Sequence, residues 1–345
     1  MAVQLGDTFQ NAHSKLWGLD AKWKGAFAFL FGWIVLTASR RTDLFFAQFV
    51  NGLMFGMILV MIALGLALIL GLMGVMNFAH GALFMIGGYV SFTVVTQFDG
   101  SFWLALVLAP LAVGLIGLLM ETVTLRPIYG TDPINTLLLT FGLTLMFEEA
   151  TRFIWGASPL SYQTAPILSS PVDLYVTTVP GISLFTVALG VVAVTAVYLL
   201  IIRTDFGLAI RAGVQDAEMA YLSGENLGLK FTILFVIGTM LAGLAGLLRG
   251  AETGIDPGMA GLFIILAFIV IVVGGMGSFF GSVVGGLLIG ISMFIGPLLL
   301  STAANFTGIA GLHPPGVQRV IPFIIMIIVL LVRPRGLFGE EGFLE

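Results

Sequence analysis

Nine long apolar stretches, separated by short polar or glycine-rich breaks, set the rhythm of this chain. They run near 48–72, 77–97, 102–125, 134–154, 181–202, 229–250, 259–275, 281–300 and 317–333. A helix needs roughly 20 apolar residues to cross about 30 Å of hydrocarbon, and most of these runs are apolar on every side. The pattern predicts an all-α, polytopic membrane helical bundle of about 9–10 transmembrane helices. Some of these helices are expected to be short or broken near the pathway. A further run, Gly25 to Ser39, is shorter and flanked by Lys22, Lys24, Arg40 and Arg41. It reads as a tenth span or as a helix lying in the interface. A cleavable signal peptide is not expected, because a polar stretch precedes the run and no convincing small-residue cleavage site follows. The organisation is therefore an N-terminal part, 1–45, holding a tail and this extra helix. A membrane domain follows over 46–339, and a short C-terminal tail over 340–345.

Composition agrees. Of 345 residues, 59% are hydrophobic and 9% charged, against about 25% charged in soluble domains. The net charge of −4 and the lack of any basic block argue against nucleic-acid binding. There are no cysteines, which removes disulfides, thiolate metal sites and thiol nucleophiles. Basic residues orient the chain. Arg203, Arg211 and Lys230, with Arg333 and Arg335, read as cytoplasmic, whereas the connection 156–180 has no Lys or Arg and reads as external. Arg126 then falls inside, but Arg40 and Arg41 fall outside, against the rule, unless 25–39 is interfacial or the parity changes; if 25–39 crosses, the N-terminus with Lys15, Lys22 and Lys24 lies inside. Ten spans with both termini inside is the favoured count.

The sequence Gly71-Leu-Met-Gly-Val-Met-Asn-Phe-Ala-His-Gly places Asn77 and His80 inside an apolar, glycine-punctuated segment. Polar groups in hydrocarbon are costly unless they face a partner, a cavity or a pathway. Asn77, Phe78, His80 and Gly81 are candidate lining residues of a translocation pathway; Asn77 and His80 read equally as hydrogen-bonded packing residues. The longest connection, 203–230, contains Val214 to Ser223 as a short helix with Gly224 as its stop. Its apolar Met219, Tyr221 and Leu222 lie among Gln215, Asp216 and Glu218. Such a helix wants a partner surface, or lies back on the bilayer headgroups.

Small residues recur every four positions at Gly277, Gly281 and Gly285, continued by Gly286 and Gly290, and again at Gly52/Gly56 and Gly246/Gly250. These read as helix-packing stripes. The similar Gly71-Leu-Met-Gly and Gly274-Gly-Met-Gly hint at an internal repeat. Among the charges, Glu148 with Arg152 and Glu121 with Arg126 read as ion pairs. Arg249, Glu252 and Asp256 read as solvated loop charges or as part of a docking rim. No phosphate-binding Gly-x-x-x-x-Gly-Lys-Ser/Thr loop occurs, and His13, His80 and His313 are too scattered for a metal site. No catalytic motif is present, so the chain reads as a non-enzyme.

One resemblance is carried by Phe49-Val-Asn-Gly-Leu, Gly74-Val-Met-Asn-Phe-Ala-His-Gly-Ala, Ala217-Glu-Met-Ala-Tyr-Leu-Ser-Gly-Glu-Asn, Val272-Val-Gly-Gly-Met-Gly-Ser and Arg333-Pro-Arg-Gly-Leu-Phe-Gly. From about Phe49 to Gly339 the chain resembles the permeases of branched-chain amino acid ABC importers, the LivH/LivM group. That resemblance implies a membrane core of two permeases, usually non-identical, and two cytoplasmic ATPases that use ATP and Mg²⁺. An external solute-binding protein would deliver substrate. It implies that 214–224 is a coupling helix, with Gln215, Asp216, Glu218, Met219, Ala220 and Gly224 facing an ATPase. No cofactor is expected on this chain, and the location implied is the inner, cytoplasmic membrane. The substrate expected is a branched-chain or other hydrophobic amino acid, with urea or a short amide as the alternative. An ion-gradient-driven secondary transporter is the alternative of another class; it would leave the 214–224 helix without a task.

Overall fold

A computed structural model describes residues 32–309, 311 and 314–339. Helix α1 covers 32–40. It is followed by α2 (Thr42–Met73), α3 (His80–Phe92) with a π-turn to Gln97, and α4 (Phe102–Met120) with a π-turn over Glu121–Leu125. Then come α5 (Pro133–Trp155), the single turn α6 (Pro166–Ser169) and a small hairpin of β1 (Pro171–Asp173) and β2 (Thr178–Pro180). The chain continues through α7 (Gly181–Arg203), α8 (Asp205–Gln215), α9 (Ala217–Leu222) and α10 (Leu227–Thr253). It closes with α11 (Met259–Gly274), α12 (Phe279–Thr307) and α13 (Val317–Val332). Each of the nine apolar stretches coincides with one of these helices. Hydrocarbon offers no hydrogen bonds to backbone, so only a helix or closed barrel satisfies such runs. Five helices are long and apolar enough alone to cross a membrane: α2, α4 with its turns, α7, α10 and α12. The chain is an all-α, multi-pass membrane protein.

Polar residues punctuate the helices where capping chemistry demands. Ser101 accepts from Leu104 N–H at 3.2 Å to open α4, Asp132 from Ile134 at 2.9 Å to open α5, and Ser278 from Gly281 at 3.0 Å to open α12. Gly74, left-handed at φ 68°, closes α2 and donates to Leu70 O.

Helix α2 is the axis of the bundle: every residue from Met54 to Leu70 is buried. Glycines set the distance to its neighbours. A Cβ at Gly52 would lie 2.8 Å from Ile291 Cα on α12, and one at Gly56 would lie 3.2 Å from the Gly286 carbonyl. On another side, a Cβ at Gly65 would run into the Gly238 carbonyl of α10. Gly281 and Gly285 pack against the last turn of α11, as a small-residue stripe predicts. Gly277 does not belong to that helical stripe. It sits at φ 79° in the tight turn before α12, where it meets Gly71 of α2.

The two glycine-rich segments therefore touch at one end of the bundle, which also carries α8 and α9; the hairpin marks the opposite end. At the α9 end, the segment 333–339 folds back onto α11. Leu337 N–H donates to Val273 O at 2.9 Å and Phe338 N–H to Gly274 O at 2.8 Å. These bonds satisfy carbonyls that a helix end leaves open, so two of the sequence signatures form one docked unit.

Residues 32–40 show how the described part of the 25–39 run joins the bundle. Arg41 N–H donates to Thr37 O and Phe45 N–H to Arg41 O, so α1 runs into α2 through a kink. Trp33 Nε1 donates to Leu299 O near the hairpin-end terminus of α12, which puts Arg40 and Arg41 at that end. Residues 25–31 of that run lie outside the described residues, as do His13, His313 and the tail 340–345.

Candidate functional site

The polar element of the second apolar segment is an interrupted helix. After Gly74 the chain is non-helical until His80, where α3 begins. Asn77 and His80 are fully buried. His80 Nε2 lies 3.1 Å from Ile62 O on α2; because that partner is a carbonyl, Nε2 carries the proton and Nδ1 is the acceptor. Ile62 is nine residues before Gly71 on α2, which places His80 about 14 Å from the α9-end turn along the axis, near mid-bundle. His80 Nδ1 and both polar atoms of Asn77 have no partner among the described residues. Such orphaned buried groups are uncommon and call for an explanation.

The backbone of this loop is held from α5. Thr140 Oγ1 accepts from Phe78 N–H at 3.2 Å, and its one proton is shared between Met76 O at 3.3 Å and Leu137 O of its own helix at 3.2 Å. Thr136, Thr140, Thr144 and Thr151 are the buried polar face of α5. The Phe78 ring packs 4.9 Å from Phe268 of α11. At Gly81 a Cβ would strike the Ala260 carbonyl, so that glycine brings α3 against α11. The four candidate pathway residues are thus brought together at the core, between α2, α5 and α11. Sequence reading missed Thr140; the Thr spacing of four along α5 was the available signal.

At the α9 end, Glu121 is fully buried on the π-turn. It accepts from Arg126 Nη2 at 3.2 Å, as the sequence pairing expects, and also from Tyr129 at 3.2 Å and Thr232 at 2.9 Å. A buried carboxylate requires such partners. This set ties the end of α4 to the second turn of α10. Lys230 pairs with Glu225 at 2.6 Å just beside it. Burial and the neighbouring Glu121 carboxylate push the Tyr129 hydroxyl well above the ordinary phenol range.

The connecting segment differs from expectation in detail. Residues 205–215 form their own helix, α8, and the chain breaks at Asp216 before the short α9 begins at Ala217. The reason is chemical: Asp216 accepts from Met219 N–H at 2.9 Å, an N-cap that sets a helix start rather than its interior. Gln215 consequently ends α8. Gly224 stops the unit as predicted, at φ 83°. Gln215, Asp216, Glu218 and Met219 are exposed, whereas Ala220 is turned inward. Tyr221 and Leu222 are 75% and 71% exposed and join Met219, 58% exposed, as an apolar tip.

The hairpin end carries the remaining charges. Arg152 pairs with Glu149, not with Glu148 as the spacing of four suggested. Arg249 Nη1 lies 2.5 Å from Glu252. Its guanidinium lies over the rings of Phe55 and Phe263, at 5.2 and 5.8 Å from their centroids. Arg249 borders a cavity of about 230 Å³ that Asp256 also lines. No group of three metal-ligating side chains occurs among the described residues.

Residues 48–330 match the family described as branched-chain amino acid transport system / permease component. The chain belongs to this permease family. It is 30% identical over 307 residues to the high-affinity branched-chain amino acid transport system permease protein BraD of Pseudomonas aeruginosa, covering 85% of this chain and 95% of BraD. It is likewise 30% identical over 316 residues to the LivH permease protein of Escherichia coli K12, covering 86% and 96%. The LivM permease protein of Salmonella typhimurium is 27% identical over 265 residues, covering 68% of this chain and 60% of LivM. No solved structure matches the permease.

Proposed function

We propose that this chain is a transmembrane subunit of an ATP-driven importer for branched-chain or other hydrophobic amino acids, in the cytoplasmic membrane. The observation that carries the reading is α9: a capped six-residue helix whose exposed Met219, Tyr221 and Leu222 form an apolar tip with Asp216, Glu218 and Glu225 around it. An apolar tip on a surface connection is a docking feature, and here it serves a nucleotide-binding subunit. ATP and Mg²⁺ then act on separate ATPase chains, and this chain catalyses nothing itself. BraD and LivH are named for branched-chain amino acid transport, which favours that substrate class over urea or amides. The weaker likeness to LivM supports a second, related permease as partner. An external solute-binding protein completes the system by delivering substrate at the hairpin end.

In this mechanism ATP-driven closure of the ATPases moves α9, and the movement passes through α8 and the first turn of α10. Thr232 and Glu121 carry it to α4. The interrupted segment 74–80 is the element that changes: Asn77 and His80, without full partners in this state, gain them when the pathway opens to water or substrate. The test is co-purification with the ATPases encoded beside the chain, comparing wild type with Gly224→Val and Tyr221→Ala. Lost ATPase association in a chain that still accumulates in the membrane supports the reading. Uptake of leucine by the isolated chain in ATP-free vesicles overturns it in favour of an ion-gradient transporter.

A further inference from the structure

The recess at the hairpin end goes further, on the footing of the amino-acid reading above. Loop charges at a helix end are ordinarily solvated, but Arg249 is not. Its side chain is 23% exposed, and its guanidinium is laid over two aromatic rings and fixed by Glu252 at 2.5 Å. One of its five N–H donors is on Glu252 and no other hydrogen bond from it occurs among the described residues. Asp256 stands at the same cavity. One of its oxygens accepts Gly258 N–H at 2.9 Å, and the other has no hydrogen bond among the described residues. Phe263, Met259 and Leu262 give the cavity an apolar wall. At about 230 Å³ it is smaller than the roughly 300–1,000 Å³ of drug-sized sites, a scale suited to a single amino acid.

We propose that this recess is an amino-acid subsite of the permease itself. Arg249 receives the α-carboxylate, Asp256 receives the α-ammonium, and the apolar wall takes an aliphatic side chain. Glu252 is a positioning residue: it holds the guanidinium plane, and the excess of carboxylate charge it makes with Asp256 disfavours a plain anion. A plain amine leaves the free guanidinium donors unmet, so the zwitterion, which engages Arg249 and Asp256 at once, is selected. The Phe55 ring contacts both Phe263 of this recess and Phe294, which lines a second cavity of about 370 Å³ with Gln48, Ser301 and Gln318 among others.

The experiment measures binding of radiolabelled L-leucine to the chain purified in nanodiscs with the subunits that accompany it. Competitors are isocaproate, which lacks the ammonium, and isoamylamine, which lacks the carboxylate. Leucine is expected to bind and neither competitor to displace it at hundred-fold excess. Arg249→Gln is expected to weaken binding at least ten-fold, with Arg249→Lys intermediate. Asp256→Asn keeps the turn to Gly258 and is expected to weaken binding similarly, so it serves if Arg249→Gln fails to accumulate. Unchanged leucine binding in these variants overturns the proposal, as does displacement by isocaproate alone. Weakened capture of the external binding protein with leucine binding intact also overturns it, making the recess a docking rim. Cellular leucine uptake by the wild-type assembly separates the two levels. Uptake without binding at the recess sinks this subsite only, whereas absence of any amino-acid uptake sinks the functional reading beneath it.

Discussion

At the scale of single residues, the hydroxyl of Thr140 holds the interrupted segment, because it satisfies the Met76 carbonyl and the Phe78 amide at once. Thr140→Val keeps the shape and strands both groups. Each buried group left unpaired costs about 1–3 kcal/mol, so thermal unfolding in detergent should occur at a clearly lower temperature. Thr140→Ser should retain most of the stability, and an unchanged midpoint in the valine variant would contradict this role. Asn77 and His80 stood out in the sequence as polar types in an apolar run. Their clasp did not, because Thr140 belongs to a different apolar segment, and the Thr stripe along α5 does not say which of its members meets the loop. The Arg249 recess was hidden for the same reason: Phe55 and Phe263 sit in separate runs, and only packing lays a guanidinium across them. Glu148 and Arg152 show the opposite error, where a correct spacing rule picked the wrong neighbour of two adjacent carboxylates.

At the scale of elements, α9 depends on its two ends. Asp216→Ala removes the N-cap, at a cost of about 0.5–2 kcal/mol. Gly224→Val puts a branched residue at φ 83°, where a left-handed conformation costs roughly 1–2 kcal/mol. Both are expected to leave the membrane helices folded, as read by global unfolding, while reducing coupled ATPase activity several-fold. Full coupling in both variants would argue that the shape of α9 is unimportant. The glycine stop was readable from sequence because it has a local conformational cause. The division into α8 and α9 was not, since the apolar and polar residues around 214–218 fit either one helix or two. The docked tail gives a second expectation. Gly336→Ala would place a Cβ 2.6 Å from the Gly275 amide at a backbone φ of 80°. The segment 333–339 should then release from α11, measured as faster proteolysis of the C-terminal end with the remaining helices protected.

At the scale of the molecule, the nine apolar runs were legible because, in hydrocarbon, a run of that length is itself the structural instruction. The shorter run at 25–39 carries no such instruction, since a short apolar helix can stop, cross or continue into its successor. The two ends of the bundle yield a test of sidedness. The chain lacks cysteine, so single cysteines at Tyr175 in the hairpin and Tyr221 in α9, 104% and 75% exposed, report cleanly. An impermeant maleimide on intact cells should label Tyr175→Cys and leave Tyr221→Cys unlabelled until the membrane is opened; the reverse pattern would invert the orientation. The enclosure of α2 also bears on how the protein is made. Its surrounding helices α3, α7, α10, α11 and α12 are all synthesised later. Until they arrive, the glycine notches of α2 are uncovered, and a charge along its buried length would be costly in lipid as well as in the finished bundle. Biogenesis thereby sets a second requirement on the same residues: a sequence tolerable to lipid while waiting, and notched for the neighbours that eventually close around it.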